Sequence, residues 1–467
     1  MLTKVITTEH IDDTADQCGL IELRLDYWQN IEIVQVANFI AAASVPVMLT
    51  LRPISEGGRF QGSETARINL LQQLIAVSPA YLDIENTLEN SVISQLKALN
   101  PQVKLVRSYH NFVETPADLA AVLAEMRHPA VHIYKIATQA NSTLDALRML
   151  QFVQDQQPQT IIGLCMGEYG SCTRILAPVV GSCWTYVPAH DQVEVAPGML
   201  TLNELVNIYR YPKLNRQTTI FALIGDPVIQ SDGHYFHNAY YKDHHLNAVY
   251  VKFKLSKNEL AEFFQRIKLL PIKGLSVTMP LKESVLPFVD HCDETAERVN
   301  AVNTLKIIHG EIYATNTDVS GVLQPIQQQM ALQDKKALVI GAGGAAKAVI
   351  YALQSAGAVV SVINRSEDKA QLLARQFAIR VQPYDIKESF DLVVNTLPDM
   401  PRIRDFISPI VENVISSATL VMDVVYKPKE TAFIQCVQHY TTKIIYGDKM
   451  FLAQAEAQAK FFLDIQM

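Results

Sequence analysis

A lysine inside an apolar β-type run is the residue with the most evident chemistry in this sequence. Lys135 lies in VHIYKIA (131–137), and strand alternation puts it on the face of Val131 and Ile133. Burying an ammonium group is costly, and burial lowers its pKa. The neutral amine is a nucleophile that can form a Schiff base with a carbonyl. His110 closes the preceding run, KLVRSYH, 25 residues earlier. That is about one strand–helix–strand unit, so the two side chains are expected to be neighbours on adjacent strands. An imidazole beside an iminium suits removal of a proton from the neighbouring carbon. Lys135 alone would also fit a class I aldolase; His110 and the surrounding motifs weigh against that reading.

Other strand-like runs carry charge where a plain core would not. In LIELRLD, Glu22, Arg24 and Asp26 share one face while Leu23 and Leu25 take the other. Thr50 and Arg52, then Asp83 and Glu85, repeat the pattern in later runs. The alternatives are a polar ligand site and an ion-pair network that only holds the strands together. In the second half, Lys335–Ser366 reads as strand, glycine turn, helix and strand. Gly341, Gly343 and Ala346 fit G-x-G-x-x-G/A, with Gly344 and Ala345 inside the turn. Such a turn lets a pyrophosphate approach the helix N-terminus. The second strand ends in Asn364, Arg365 and Ser366 rather than in an acid. Arg365 suits a 2′-phosphate, which favours NADP over NAD; the alternative is a solvated loop charge.

The elements that must position these residues follow from periodicity. Runs starting at Val5, Leu20, Pro46, Tyr81, Lys104, Val131, Ile161 and Ser182 read as strands, with helical patterns such as Thr65–Val77 and Pro116–Met126 between them. Alternation of this kind predicts a (β/α)₈ barrel with its site at the C-terminal strand ends. A polar, Pro-containing stretch at 210–218 reads as a linker to a second half that carries a Rossmann-type dinucleotide fold.

Two family resemblances are carried by ordered motifs. ELRLD, TLR, the Glu56–Gly58 EGG, SYHNF, YKIA and MGEYGSCTR resemble type I 3-dehydroquinate dehydratases over about residues 1–210. The resemblance implies that Lys135 forms a Schiff base with the C3 ketone of 3-dehydroquinate. His110 would take the C2 proton and return it to the departing C1 hydroxyl, with Glu56 assisting. Arg52 and Arg174 would bind the substrate carboxylate, and Glu22 and Arg24 the ring hydroxyls. Where the family has S-A-P-G-Q, this chain has Val195, Ala196, Pro197, Gly198 and Met199, so weaker substrate binding or an altered lid is expected.

From about residue 220 onward, GLSVTMPLKE, ERVNAVNT, ATNTD, DVVYKPKET and GDKMFLAQAEAQ resemble shikimate dehydrogenases. This implies a Lys282–Asp318 acid/base pair for reduction of 3-dehydroshikimate by NADPH, with either residue as the proton donor. Ser231, Thr278, Asn303 and Gln454 would bind substrate. Gly341, Gly343, Gly344, Ala345, Asn364, Arg365, Ser366 and Gly447 would bind the cofactor. Asn316, Asp423, Tyr426 and Met450 fall in the same motifs. The family's S-x-S-P step is here Ser231, Asp232, Gly233 and His234. The missing second serine leaves room for a C1 hydroxyl, so quinate is an alternative substrate. Leu397 and Pro398 also stand where the family often has a small hydroxyl residue near the cofactor. The implied domains are 1–212 for the barrel, 218–320 completed by 440–467 for the substrate lobe, and 321–439 for the cofactor lobe. The product of the first reaction is the substrate of the second, which ties the two halves together. A metabolite sensor built on the same folds would have no need of Lys135, His110, Lys282 and Asp318 together.

Composition agrees. The 467 residues, 49% hydrophobic and 19% charged, suit two or three globular domains. Residues 1–215 hold 14 Lys+Arg against 21 Asp+Glu, whereas residues 216–467 hold 26 of each. No basic stripe appears, so small molecules rather than nucleic acid are the expected partners. No apolar stretch reaches membrane-spanning length, and no basic-then-apolar leader opens the sequence, so a cytoplasmic protein is expected. The six cysteines lack metal-ligand spacing, so reduced thiols and no metal are expected.

Overall fold

The computed structural model describes residues 1–9, 17–190, 196–400 and 402–463. The chain divides into two compact units, one of residues 1–220 with 241–255 and 259–271, the other of 221–240, 256–258 and 272 onward.

The first unit is built on eight strands: β1 (Leu2–Ile6), β2 (Leu20–Arg24), β3 (Val47–Thr50), β4 (Tyr81–Glu85), β5 (Lys104–Asn111), β6 (Val131–Gln139), β7 (Ile161–Met166) and β8 (Thr185–Pro188). They run in the order β7-β6-β5-β4-β3-β2-β1-β8 with all neighbouring pairs parallel. The Cys183 amide donates to the Ile161 carbonyl at 2.9 Å, so the β7 and β8 segments meet and the barrel nearly closes. All eight strands fall on the runs read from sequence. Alternation sorts the side chains. Leu23, Leu49, Leu82 and Leu105 point to the helix layer with Leu71, Leu74, Ile93 and Leu96, all buried. Each such burial is worth roughly 1.5–3 kcal/mol. Val5, Met48, Val106, Ile133 and Trp184 fill the barrel interior. The stretch after residue 210 forms a short 3-10 turn, Tyr211–Lys213.

The remaining strands make two sheets. One has six strands, β9 (Thr219–Gly225), β10 (Ala248–Lys254), β11 (Ile272–Val277), β12 (His291–Cys292), β13 (Thr304–Ile308) and β14 (Glu311–Thr315), in the order β10-β9-β11-β13-β14-β12. The other has β15 (Lys336–Ile340), β16 (Val359–Ile363), β17 (Arg380–Val381), β18 (Leu392–Asn395), β19 (Leu420–Asp423) and β20 (Ile444–Ile445). Its order β17-β16-β15-β18-β19-β20, all parallel, is the doubly wound dinucleotide-binding order with its switch point between β15 and β18. Among the described residues no helix is long and apolar enough to cross a membrane. No group of three His, Cys, Asp or Glu among them could hold a metal ion.

Candidate active sites

In the barrel the cavity sits over the C-terminal strand ends, as the fold requires. Glu22, Arg24, Arg52, His110, Lys135 and Arg174 line it together. Lys135 on β6 pairs in register with Ser108 of β5, and His110 pairs with Ala137 two places on. The two candidate reactive groups are therefore neighbours on adjacent strands. Lys135 Nζ lies 3.6 Å from an Asp83 carboxylate oxygen and 4.4 Å from the Tyr186 ring centre. Burial pulls its pKa below the usual lysine value of 10.5, with Asp83 acting in the opposite direction. The His110 imidazole is driven well below 6.5, first by burial and then by Arg52, Lys135 and Arg24. It is therefore neutral near pH 7, the form in which it can accept a proton.

Glu56 reaches His110 because of the two glycines that follow it. Gly57 lies at φ +74, and a Cβ there would meet the Phe112 ring at 2.2 Å; one at Gly58 would meet the Arg52 carbonyl oxygen at 2.1 Å. The turn can fold back on Arg52 and Phe112 only without side chains at these places. That sets a Glu56 oxygen 3.9 Å from His110 Nδ1, beyond hydrogen-bond length, and Nδ1 has no other hydrogen-bond partner. Burial raises the pKa of Glu56.

The three arginines differ in their partners. Arg52 is held by Asp83 at 3.0 Å and Glu85 at 3.1 Å, and Arg24 is held through two hydrogen bonds by Asp26. Glu22 accepts from the Thr50 hydroxyl at 2.7 Å. Arg174 is buried, and among the described residues its Nε and Nη2 have no hydrogen-bond partner; burial lowers its pKa to about 10, so it stays charged near neutrality. Among the described residues no carboxylate is paired with Arg174. Asp83 and Tyr186 were not assigned roles in the sequence reading. Asp83 was legible as an inward charge on β4, but its contact with Lys135 spans two strands and emerges only from register. Phe112, Leu164, Met166, Ala196 and Met199 add apolar surface to the same cavity. Val195 lies outside the described residues.

In the second unit Lys282 donates to Asp318 at 2.5 Å, and Asn303 Nδ2 donates to the other Asp318 oxygen at 2.8 Å. Sheet register explains the meeting: Thr304 of β13 pairs with Thr315 of β14, bringing Asn303 and the Asn316–Asp318 turn to one end. Asn316 donates to the Ala301 carbonyl at 2.8 Å, closing that turn. Thr278 follows β11 and packs against Gly225, where a Cβ would meet its methyl group at 2.4 Å. Gln454 lies on the helix Gly447–Leu463, against Gly321 of the helix Asp318–Gln327. Ser231 lies in the loop after β9. Its hydroxyl accepts from the Gly233 amide, the Asp232 amide reaches the Tyr426 hydroxyl at 3.4 Å, and Lys427 donates to Asp232 at 2.6 Å. Asp423 is buried, takes hydrogen bonds from Thr431, Asn395 and the Val425 amide, and is pushed up to about 6 by burial.

The turn after β15 fits a dinucleotide. Gly341 lies at φ +120, where a Cβ would strike Thr396 at 2.3 Å, while Cβ atoms at Gly343 and Gly344 would meet nothing within 4 Å. That open face precedes the twelve-residue helix Gly344–Ser355, and Ala346 is buried beneath it. Arg365 is exposed just beyond β16, and the Asn364 side chain ties back to the Ser366 carbonyl at 2.9 Å. Gly447 opens the last helix, where a Cβ would strike the Val425 carbonyl oxygen at 2.3 Å.

Residues 5–216 match the type I 3-dehydroquinase family, residues 223–305 the shikimate dehydrogenase substrate-binding domain, and residues 324–396 the shikimate/quinate 5-dehydrogenase family. The shikimate biosynthesis protein AroDE of Chlamydia pneumoniae is 33% identical over 444 residues, covering 94% of this chain and 89% of that protein. The chain belongs to the AroDE family. A bifunctional 3-dehydroquinate dehydratase/shikimate dehydrogenase of Arabidopsis thaliana is 29% identical over 470 residues, covering 95% of this chain and 77% of its own length. A shikimate dehydrogenase crystallised with NADP⁺ is 30% identical with a TM-score of 0.51, over 54% of this chain and 92% of that one. The AroDE fold thus joins a lyase and an oxidoreductase, and the chain is a bifunctional dehydroquinate dehydratase/shikimate dehydrogenase.

Proposed function

We propose that the barrel dehydrates 3-dehydroquinate through a Schiff base on Lys135, and that residues 218–467 reduce the product to shikimate with NADPH. The observation that carries the first half is a buried, pKa-lowered lysine neighbouring a buried neutral histidine over the same cavity. The neutral Lys135 amine adds to the ketone carbon and water leaves, giving an iminium. The iminium withdraws electrons from the adjacent C–H. His110 takes that proton, the C1–oxygen bond breaks, and His110 returns the proton to the departing hydroxyl as water. Hydrolysis of the iminium frees 3-dehydroshikimate and restores Lys135. Arg174, with two unbonded nitrogens, is the main partner for the substrate carboxylate, with Arg52 beside it. Glu22 and Arg24 take ring hydroxyls, and Glu56 steadies His110.

For the reductase, residues 218–320 with 440–467 form the substrate lobe and 321–439 the cofactor lobe. NADPH, when bound, supplies the hydride. Gly341, Gly343, Gly344 and Ala345 would hold its pyrophosphate, Asn364, Arg365 and Ser366 its 2′-phosphate, and Gly447 would face the nicotinamide end. Lys282, held by Asp318, gives its proton to the oxygen that becomes the new hydroxyl. Ser231, Thr278, Asn303 and Gln454 orient the ring. Borohydride trapping tests the central chemistry. Wild-type protein incubated with 3-dehydroquinate and reduced should gain a covalent adduct on Lys135 by mass spectrometry. Absence of an adduct during active turnover would overturn the Schiff-base step.

A further inference from the structure

Gln458 lies on the last helix, one turn beyond Gln454, and is buried. Its side chain joins three segments. Its Oε1 accepts from the Ser276 hydroxyl at 3.0 Å and lies 3.3 Å from His237 Nε2, while its Nε2 donates to the Asn303 carbonyl at 3.1 Å. Burial drives His237 down to about 3, so the ring is neutral. With the Ser276 hydroxyl as the other donor, the ring's Nε2 carries the proton that faces Gln458. A buried amide is costly unless bonded, so this arrangement fixes which way the amide points.

The Asn303 carbonyl also accepts from the Val277 amide at 2.7 Å. Asn303 in turn donates to Asp318, which holds Lys282, and Val277 immediately precedes Thr278. A continuous line of hydrogen bonds therefore runs from β11 and the helix Gly233–Asp243, through Gln458, to the acid/base pair. Gln458 lies outside the cluster of groups expected to touch substrate. Nothing in its own chemistry explains an amide placed there other than what it holds.

We propose that Gln458, oriented by Ser276 and His237, is a positioning residue for the dehydrogenase: it sets Asn303, and through it Asp318 and Lys282, for proton transfer. This rests on the reading of Lys282–Asp318 as the acid/base pair. The test uses the full chain carrying Gln458→Leu, with Ser276→Ala as the milder change, followed by steady-state 3-dehydroshikimate reduction. We expect kcat to fall about tenfold or more in Gln458→Leu, and by less in Ser276→Ala, with the KM for NADPH within about twofold. Dehydratase activity of the same protein should be unchanged. In a Lys282→Ala background, Gln458→Leu should add little further loss, because both act on one step.

Wild-type kcat in both variants would overturn the proposal. So would a loss of the same size in the Lys282→Ala background, or one matched by a rise in the KM for NADPH, since either marks general damage. If Lys282→Ala itself keeps full activity, the acid/base reading fails instead, and with it the basis of this inference. Lys282→Ala strongly impaired with Gln458→Leu normal would leave that reading standing and refute this one alone.

Discussion

Lys135 could be picked out of the sequence because an ammonium in an apolar alternating run has few explanations. Its environment gives a pH dependence with a definite sign. Burial lowers its pKa, so the free enzyme gains reactive amine at a lower pH than an exposed lysine would. The acid limb of dehydratase kcat/KM assigned to Lys135 should have its midpoint below 10.5; a limb at or above that value would contradict the account. His110→Ala should lower dehydratase kcat by about 10²–10⁴-fold while shikimate dehydrogenase kinetics stay unchanged. Met199 stands where the resembled family has a glutamine, among the apolar residues lining the cavity. Met199→Gln should lower the KM for 3-dehydroquinate, and unchanged kinetics would remove Met199 as the cause of any weak binding. The arginines were harder to read. Sequence gives three similar cations, but which of them is paired depends on where Asp26, Asp83 and Glu85 fall in the fold. Asp83, Glu85 and Asp26 occupy Arg52 and Arg24, and Arg174 is left with unbonded nitrogens.

At the scale of elements, the eight barrel strands were legible because strands buried on both faces read as short β-branched and apolar runs between helical patterns. The glycine turn after β15 was legible because its spacing serves the backbone's approach to a phosphate. Close packing between distant helices was not. Gly321 is an example: a Cβ there would lie 2.8 Å from the Gln454 Cβ and 3.0 Å from the Met450 carbonyl oxygen, so the helices Asp318–Gln327 and Gly447–Leu463 approach only because it is glycine. Nothing local in DVSGVLQPIQ announces a partner more than 120 residues away. Gly321→Ala should force the two helices apart, costing about 1–3 kcal/mol of stability. Shikimate dehydrogenase kcat should fall with it, because Asp318 and Gln454 lie on the helices that move. Thermal unfolding and dehydrogenase assays would check this; a variant with wild-type melting and kinetics would refute the close-contact argument. Gln458 was missed for the same reason, since its partners come from three segments that only the fold joins.

At the scale of the molecule, each half carries its own charged, buried centre. The barrel site depends on Lys135 and the second site on Lys282. Lys135→Ala should abolish the dehydratase and Lys282→Ala should cut the dehydrogenase by about 10²-fold or more, each sparing the other activity. The pairing of activities was legible because two ordered motif series, each specific, describe consecutive reactions. The two compact units are interleaved in sequence, with 241–255 and 259–271 in the first and 256–258 in the second. The most direct test of the account is a single assay: purified protein with 3-dehydroquinate and NADPH, following cofactor oxidation and shikimate formation. The account expects NADPH to be consumed and shikimate to accumulate, with Lys135→Ala silent from 3-dehydroquinate yet active from 3-dehydroshikimate. Wild-type protein that oxidises no NADPH with either substrate would contradict it.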